Sequence, residues 1–135
     1  MAQKQKTPAA GPLFKYEYVT SAVSLLKNDG IVVHVVNDSG TTENARVVIY
    51  QNTGAGAIIA ADSGVAAVIP TWNWGLGFTI SSSGEYWVRV QVTSEFLVPK
   101  ASFERVAAGI WLPFVTYRPG DFAIFDLVPT RKRRW

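Results

Sequence analysis

Residues 86–93 read YWVRVQVT, and this strict alternation constrains the chain more than any other feature. A side-chain period of two puts Tyr86, Val88, Val90 and Val92 on one face of a strand, and Trp87, Arg89, Gln91 and Thr93 on the other. The first face belongs in a core and the second meets solvent or an interface. A slip of one residue would invert both faces, so burial fixes the register. No window sustains an i, i+3, i+4, i+7 pattern over three turns, and only residues 21–27 have the look of a short helix.

Other segments repeat the strand signal. Residues 31–37 (IVVHVVN) and 45–51 (ARVVIYQ) are β-branched runs separated by DSGTTEN, whose turn formers predict a hairpin between them. Residues 96–105 (FLVPKASFER) place Leu97, Ala101 and Phe103 together, while Pro99 restricts that strand to a sheet edge or a bulge. The Gly- and Ala-rich stretch 52–77 predicts short strands at 57–61 and 65–69 around Asp62-Ser63-Gly64, packed closely within the chain or against a neighbour. Arg118-Pro119-Gly120-Asp121 is a turn that hands IWLPFVTY to a final strand, FAIFDLV. The expectation is an all-β chain: one antiparallel β-sandwich, jelly-roll-like, of about seven to eight strands over residues 16–130. An extended arm (1–15) and a basic tail (131–135) flank it. With 135 residues, 48% of them hydrophobic, folding buries roughly two-thirds of the unfolded surface, enough for a core without cross-links.

Composition argues against catalysis. The chain has no cysteine and one histidine, which removes thiol chemistry and any imidazole metal site with more than one histidine ligand. His34 alternates with Val32 and Val36 on one strand face and reads as a structural residue; no serine or acid pairs with it by spacing. Asp121 and Asp126 are five apart, which on a strand puts them on opposite faces, and Asp121 is better placed to cap the RPGD turn. No calcium-loop or phosphate-cradle pattern occurs, so no metal, no cofactor and no catalytic residue is expected. No apolar stretch predicts a transmembrane span, and the first residues lack the apolar region of a secretory signal. A cytoplasmic location is the expectation; assembly at a surface would need a route this sequence does not encode.

Charge divides along the chain. Lys4, Lys6 and Lys15 near the front and Arg131, Lys132, Arg133 and Arg134 near the end supply seven of thirteen basic residues. Residues 16–130 hold the other six against all ten acids, a net of −4 between tails of +7. Basic tails on an acidic body favour contact between copies, whereas the absence of a basic stripe interleaved with aromatics argues against nucleic acid. Candidate subunit-contact residues are Lys4, Lys6, Leu13, Phe14, Tyr16, Arg131, Arg133, Arg134 and Trp135, the last a bulky anchor on a basic tip. The proline-punctuated arm suits addition to a neighbour's open sheet edge. Trp72 and Trp74, flanking Asn73, would share a strand face and offer a platform for a sugar ring, against the alternative that they fill the core.

The order IVVHVVNDSGTTENARVVIYQ followed by YWVRVQVTSEFLVPKASFER resembles small bacterial β-sandwich proteins of the sensory rhodopsin transducer type. The resemblance implies a jelly-roll-like sandwich that oligomerises, and it assigns no functional residue. The leading expectation is a non-enzymatic, self-assembling structural protein, an appendage, fibre or shell-like subunit whose partner is itself. A carbohydrate-binding module and a cytoplasmic signalling adaptor are the alternatives.

Overall fold

The computed structural model describes residues 14–127. In chain order the strands are β1 (Tyr16–Val19), β2 (Val23–Leu25), β3 (Gly30–Asn37), β4 (Glu43–Thr53), β5 (Gly56–Asp62), β6 (Ala66–Val68), β7 (Asn73–Thr79), β8 (Gly84–Val92), β9 (Leu97–Ala107), β10 (Ile110–Tyr117) and β11 (Ala123–Asp126). A 3-10 turn, Pro119–Asp121, joins the last two. Every pairing is antiparallel.

The strands form two sheets, which makes the chain all-β. The larger has seven strands in the order β11-β1-β8-β4-β5, with β2 beside β8 and β6 beside β4; the smaller has four, β10-β9-β3-β7. The count exceeds seven to eight because β1, β2 and β7 add three strands to the eight segments that the sequence marks. β1 and β2 share one edge of β8, and β5 and β6 share one edge of β4.

The core lies where the alternation predicted it. Tyr86, Val88, Val90 and Val92 are buried, as are Leu97, Ala101 and Phe103. They join Ile31, Val33 and Val35 of β3 and Ala45, Val47 and Ile49 of β4 in one cluster drawn from both sheets. On β8 the alternate residues Trp87, Arg89 and Gln91 remain partly exposed.

Three sequence expectations change. The hairpin between residues 31–37 and 45–51 does not form, because β3 belongs to the smaller sheet and β4 to the larger. Turn residues encode a reversal of direction, not the sheet that the next strand joins. The corner is built by the buried Asn37 side chain. Its amide donates to the Thr41 carbonyl at 2.9 Å and the Val68 carbonyl at 2.7 Å, and its Oδ1 accepts from Ser39 N at 2.8 Å. Residues 21–27 are not helical. They supply β2, since so short a segment does not nucleate a helix and the free edge of β8 offers it backbone partners. β9 is interior, between β3 and β10, despite Pro99. Its pairing with β10 ends at Ala101 opposite Tyr117, so no strand flanks Pro99 on that side and its missing N–H costs no ladder bond.

The RPGD turn forms as expected, with Arg118 N donating to Asp121 Oδ2 at 2.9 Å. Asp121 is therefore in the turn and not on a strand, so the face argument applied to Asp121 and Asp126 falls away. The two ends of the described chain meet. Lys15 N donates to the Val92 carbonyl at 2.9 Å, and Leu127 N donates to the Lys15 carbonyl at 2.8 Å.

Candidate interaction surface

Two connections are hairpins between neighbouring strands, β4–β5 and β9–β10, and both point past the same end of the sandwich. That end also holds the start of β3, joined to the loop before β8 by Asn28 N to the Ile80 carbonyl (2.9 Å) and Ile80 N to the Asp29 carbonyl (2.8 Å). The last rung between β3 and β9 is Gly30 opposite Glu104. From Arg105 onward β9 has only β10 beside it, so residues 105–112 form a free two-stranded ribbon.

Side-chain direction follows from register. Opposed residues in an antiparallel pair share a face, and β9 alternates from the buried Phe103 through Arg105 to Ala107. Leu112, opposite Arg105, and Ile110, opposite Ala107, therefore lie on the side of the sheet that faces the core. Phe114 is the extra residue of a bulge between Pro113 and Val115, and its ring lies 4.6 Å from Arg105 Cζ, on that same side. Past the end of the core these side chains stay open among the described residues: Ile110 is 61%, Leu112 53% and Phe114 43% exposed. The larger sheet is narrow there, because β11 pairs only with β1 and stops at Ala123 opposite Val19.

The ribbon is gripped at its base from both sides. On the inner side Arg105 makes a two-point pair with Asp29, Nε to Oδ1 at 2.9 Å and Nη2 to Oδ2 at 2.7 Å, while Leu26 N also donates to Oδ2 at 2.8 Å. The Arg105 hydrogen bonds, followed by the Leu26 amide, hold the Asp29 carboxyl below the usual range against the opposing effect of burial. On the outer side the Trp111 ring lies over Gly30, where a Cβ would come within 3.0 Å of the indole; a side chain at residue 30 would lift the ring. Trp111 separates two open concavities, one of about 630 Å³ bounded by Leu26, Lys27, Asn28 and Arg105, and one of about 230 Å³ bounded by Gly77, Phe78 and Glu104.

The flank continues upward. β10 ends at Tyr117, whose ring meets Phe122 at 5.6 Å, and Phe122 meets Tyr18 of β1 at 5.8 Å. β11 then forms the edge of the larger sheet with all four residues exposed, Ile124 and Phe125 among them. Residues 110–127 thus run as one edge, first of the smaller sheet and then of the larger, with apolar side chains on both faces. Large apolar side chains left open along edge strands make this flank a candidate interaction surface.

By contrast the outer face of the larger sheet is closed by its own partners. Tyr50 stacks on Trp87 at 4.2 Å, and Arg89 lies over both rings, bonds the Tyr50 hydroxyl at 2.9 Å and pairs with Glu17 at 3.1 Å. Arg46 pairs with Asp62 through Nε at 3.0 Å and Nη2 at 2.5 Å. That pair, then the Gly64 amide, lowers the Asp62 pKa to about 2.

Of the residues singled out in the sequence, Phe14 and Tyr16 stand half-buried where the arm meets the sheet, and Tyr16 packs against the core. Lys4, Lys6, Leu13, Arg131, Arg133, Arg134 and Trp135 lie outside the described residues. Trp72 precedes β7 and is 52% exposed, Asn73 points outward, and Trp74 turns inward against the core, so the pair presents one open ring rather than two. His34 lies over Gly75, and its buried Nδ1 has no hydrogen-bond partner among the described residues. No group of three or more metal-ligating side chains occurs among them, and no helix among them is long and apolar enough to cross a membrane. Sequence reasoning read IWLPFVTY as a strand but missed its exposure. The available signal was an apolar run on both faces, which reads as a fully buried strand.

No family model matches the chain, and no curated protein matches it. Among solved structures it is similar to the crystal structure of Thermotoga maritima 1070, with 9% identity, a TM-score of 0.53, and 81% of this chain and 94% of that one covered. At this identity the likeness concerns the fold alone.

Proposed function

We propose that this chain is a non-enzymatic structural protein that assembles with copies of itself. The observation that carries the reading is the open flank of residues 110–127, where both sheets end in edge strands whose large apolar side chains meet solvent in a single copy. Such edges are normally covered or blunted with charge. A second support is the placement of the basic segments. Because Lys15 and Leu127 are hydrogen-bonded neighbours, the arm with Lys4 and Lys6 and the tail with Arg131, Arg133 and Arg134 attach at one corner of a body whose net charge is −4. An acidic neighbour would draw both.

The test is the mass of the purified chain by light scattering, with and without residues 1–12. An assembled full chain is expected, forming more slowly as salt is added because exposed charges act mainly on encounter. A truncated chain that folds but assembles more slowly gives the arm its role. A full chain that stays monomeric at hundreds of micromolar overturns the reading.

A further inference from the structure

We propose that the outer surface at the base of the β9–β10 hairpin binds a neutral oligosaccharide, with the Trp111 ring as the platform on which one pyranose ring stacks. This activity is separate from self-assembly and does not depend on it. A Cβ at Gly30 would meet Trp111 Cζ3 at 3.0 Å, Cη2 at 3.4 Å and Cε3 at 3.6 Å. An edge-on approach would set the two flanking atoms well behind the nearest one, so the indole lies flat over the backbone of β3. Gly30 thus covers one face of the ring, and the 44% of Trp111 that stays exposed belongs to the opposite face and the rim. The seat is held from below. Arg105 pairs with Asp29, and the loop before β3 is tied down by Lys27 N to Ser83 Oγ and Asn28 N to the Ile80 carbonyl, both at 2.9 Å. An aromatic face already fixed in one orientation has little freedom left to lose when a ligand stacks on it.

The groups on either side of the ring select the ligand. The smaller concavity is bounded by Glu104, whose Oε2 accepts from Ser102 at 3.0 Å while Oε1 has no partner among the described residues. The larger is bounded by Lys27, which makes no ion pair among the described residues, and by the Asn28 amide; Thr79 borders both. Glu104 repels an anion and Lys27 repels a cation, while Arg105 is already neutralised by Asp29. A hydrocarbon would desolvate these groups and give them no partner. A hydroxyl both donates and accepts, so a polyol suits an acid on one side and an ammonium and an amide on the other. A neutral molecule with an apolar face for the indole and a rim of hydroxyls for its flanks is a pyranose. The larger concavity, about 630 Å³, has the size of a small-molecule site. With one aromatic ring and both concavities open, the affinity is weak, with Kd on the order of millimolar.

The experiment is a titration of the full chain, at fixed protein concentration, with cellohexaose and with maltohexaose, read from the indole N–H signals of the five tryptophans by NMR. Sorbitol, an acyclic polyol without a ring face, is the control. At least one hexasaccharide is expected to move the Trp111 signal saturably while the Trp72 signal stays in place, and sorbitol should move neither. Trp111→Ala should weaken binding at least about 10-fold, as for the one ring that carries the contact, and Trp72→Ala should leave it unchanged. Gly30→Ala keeps the indole but lifts it from its seat, and should weaken binding as well. The wild-type titration decides by itself, whether or not a variant folds. If neither sugar moves the Trp111 signal at about 20 mM, or sorbitol moves it as far, there is no stacking site for a sugar. A Trp111 signal moved by adenosine monophosphate or tetramethylammonium and by neither sugar, or sugar binding that survives Trp111→Ala, overturns the proposal equally.

Discussion

The two hairpins leave the same end of the sandwich and are built on opposite terms. β4 is accompanied by β8 as far as Asn52, so β4–β5 projects only by its tip, residues 53–56. β9 loses β3 at Glu104, so β9–β10 projects by residues 105–112. The short projection is made of Thr, Gly and Ala; the long one carries Val, Trp, Leu and Ile. Both edge strands are bulged, at Ala60 in one and Phe114 in the other, which obstructs continuous strand pairing. Projection alone therefore does not leave large apolar side chains in solvent. It takes a ribbon that outruns its sheet and stays apolar.

The largest expected effect separates core from overhang on a single strand pair. Phe103→Ala should cost about 3–5 kcal/mol in urea unfolding, since the ring is fully buried and meets Tyr117 edge-on at 6.1 Å. Leu112→Ala, nine residues on, should cost less than about 0.5 kcal/mol at concentrations where the chain is monomeric. Equal costs would mean that the ribbon is core, and the comparison would break.

Next in size are the turns. Gly56 has φ +122°, where a side chain is strained although a Cβ would meet nothing, so Gly56→Ala should destabilise by about 1 kcal/mol or more. The other tip is a two-residue turn with Ala108 at φ 54° and Gly109 at φ 78°, the positive-φ pair of a type I′ turn, which favours Asn or Gly in the first place. Ala108→Gly should therefore stabilise by roughly 0.5–1 kcal/mol in the same assay. A loss at that position would show that the tip's conformation is not set by its turn.

The smallest effect is electrostatic. Asp62 has its pKa lowered to about 2 beside Arg46. A depressed folded pKa contributes stability that is complete above the unfolded value near 4 and is lost as pH falls toward 2. Both groups are about one-third exposed, so screening reduces the contribution to roughly 1 kcal/mol or less. Arg46→Ala should flatten that part of the stability profile, measured by unfolding at pH 5 and pH 2.5. At the long hairpin, Arg105→Ala should raise the pH at which acid unfolding begins, because Asp29 is nearly buried and would lose its charged partner.

Much of the architecture was legible because burial leaves a period in the sequence. β8, the inward set Leu97, Ala101 and Phe103, and β10 at residues 110–117 could be read directly. What could not be read was which strands share a sheet. DSGTTEN suits a hairpin and a sheet-to-sheet corner equally, and the difference lies in Asn37 reaching Val68, a contact 31 residues away. The candidate surface was hidden for a related reason. IWLPF is apolar on both faces, and only the positions where β3 and β11 stop reveal that its side chains stay exposed among the described residues.

The meeting of Lys15 and Leu127 has a mechanical consequence. β1 and β11 run antiparallel from that point, with Tyr16 opposite Asp126 and Val19 opposite Ala123. A pull on segments attached at residues 14 and 127 loads the Leu127–Lys15 bond first and then opens the ladder rung by rung, as a zipper opens, instead of shearing all the rungs together. Tension delivered through the two tails would strip β11 at low force and stop at the Tyr18–Phe122–Tyr117 aromatic cluster, leaving the rest of the sandwich in place.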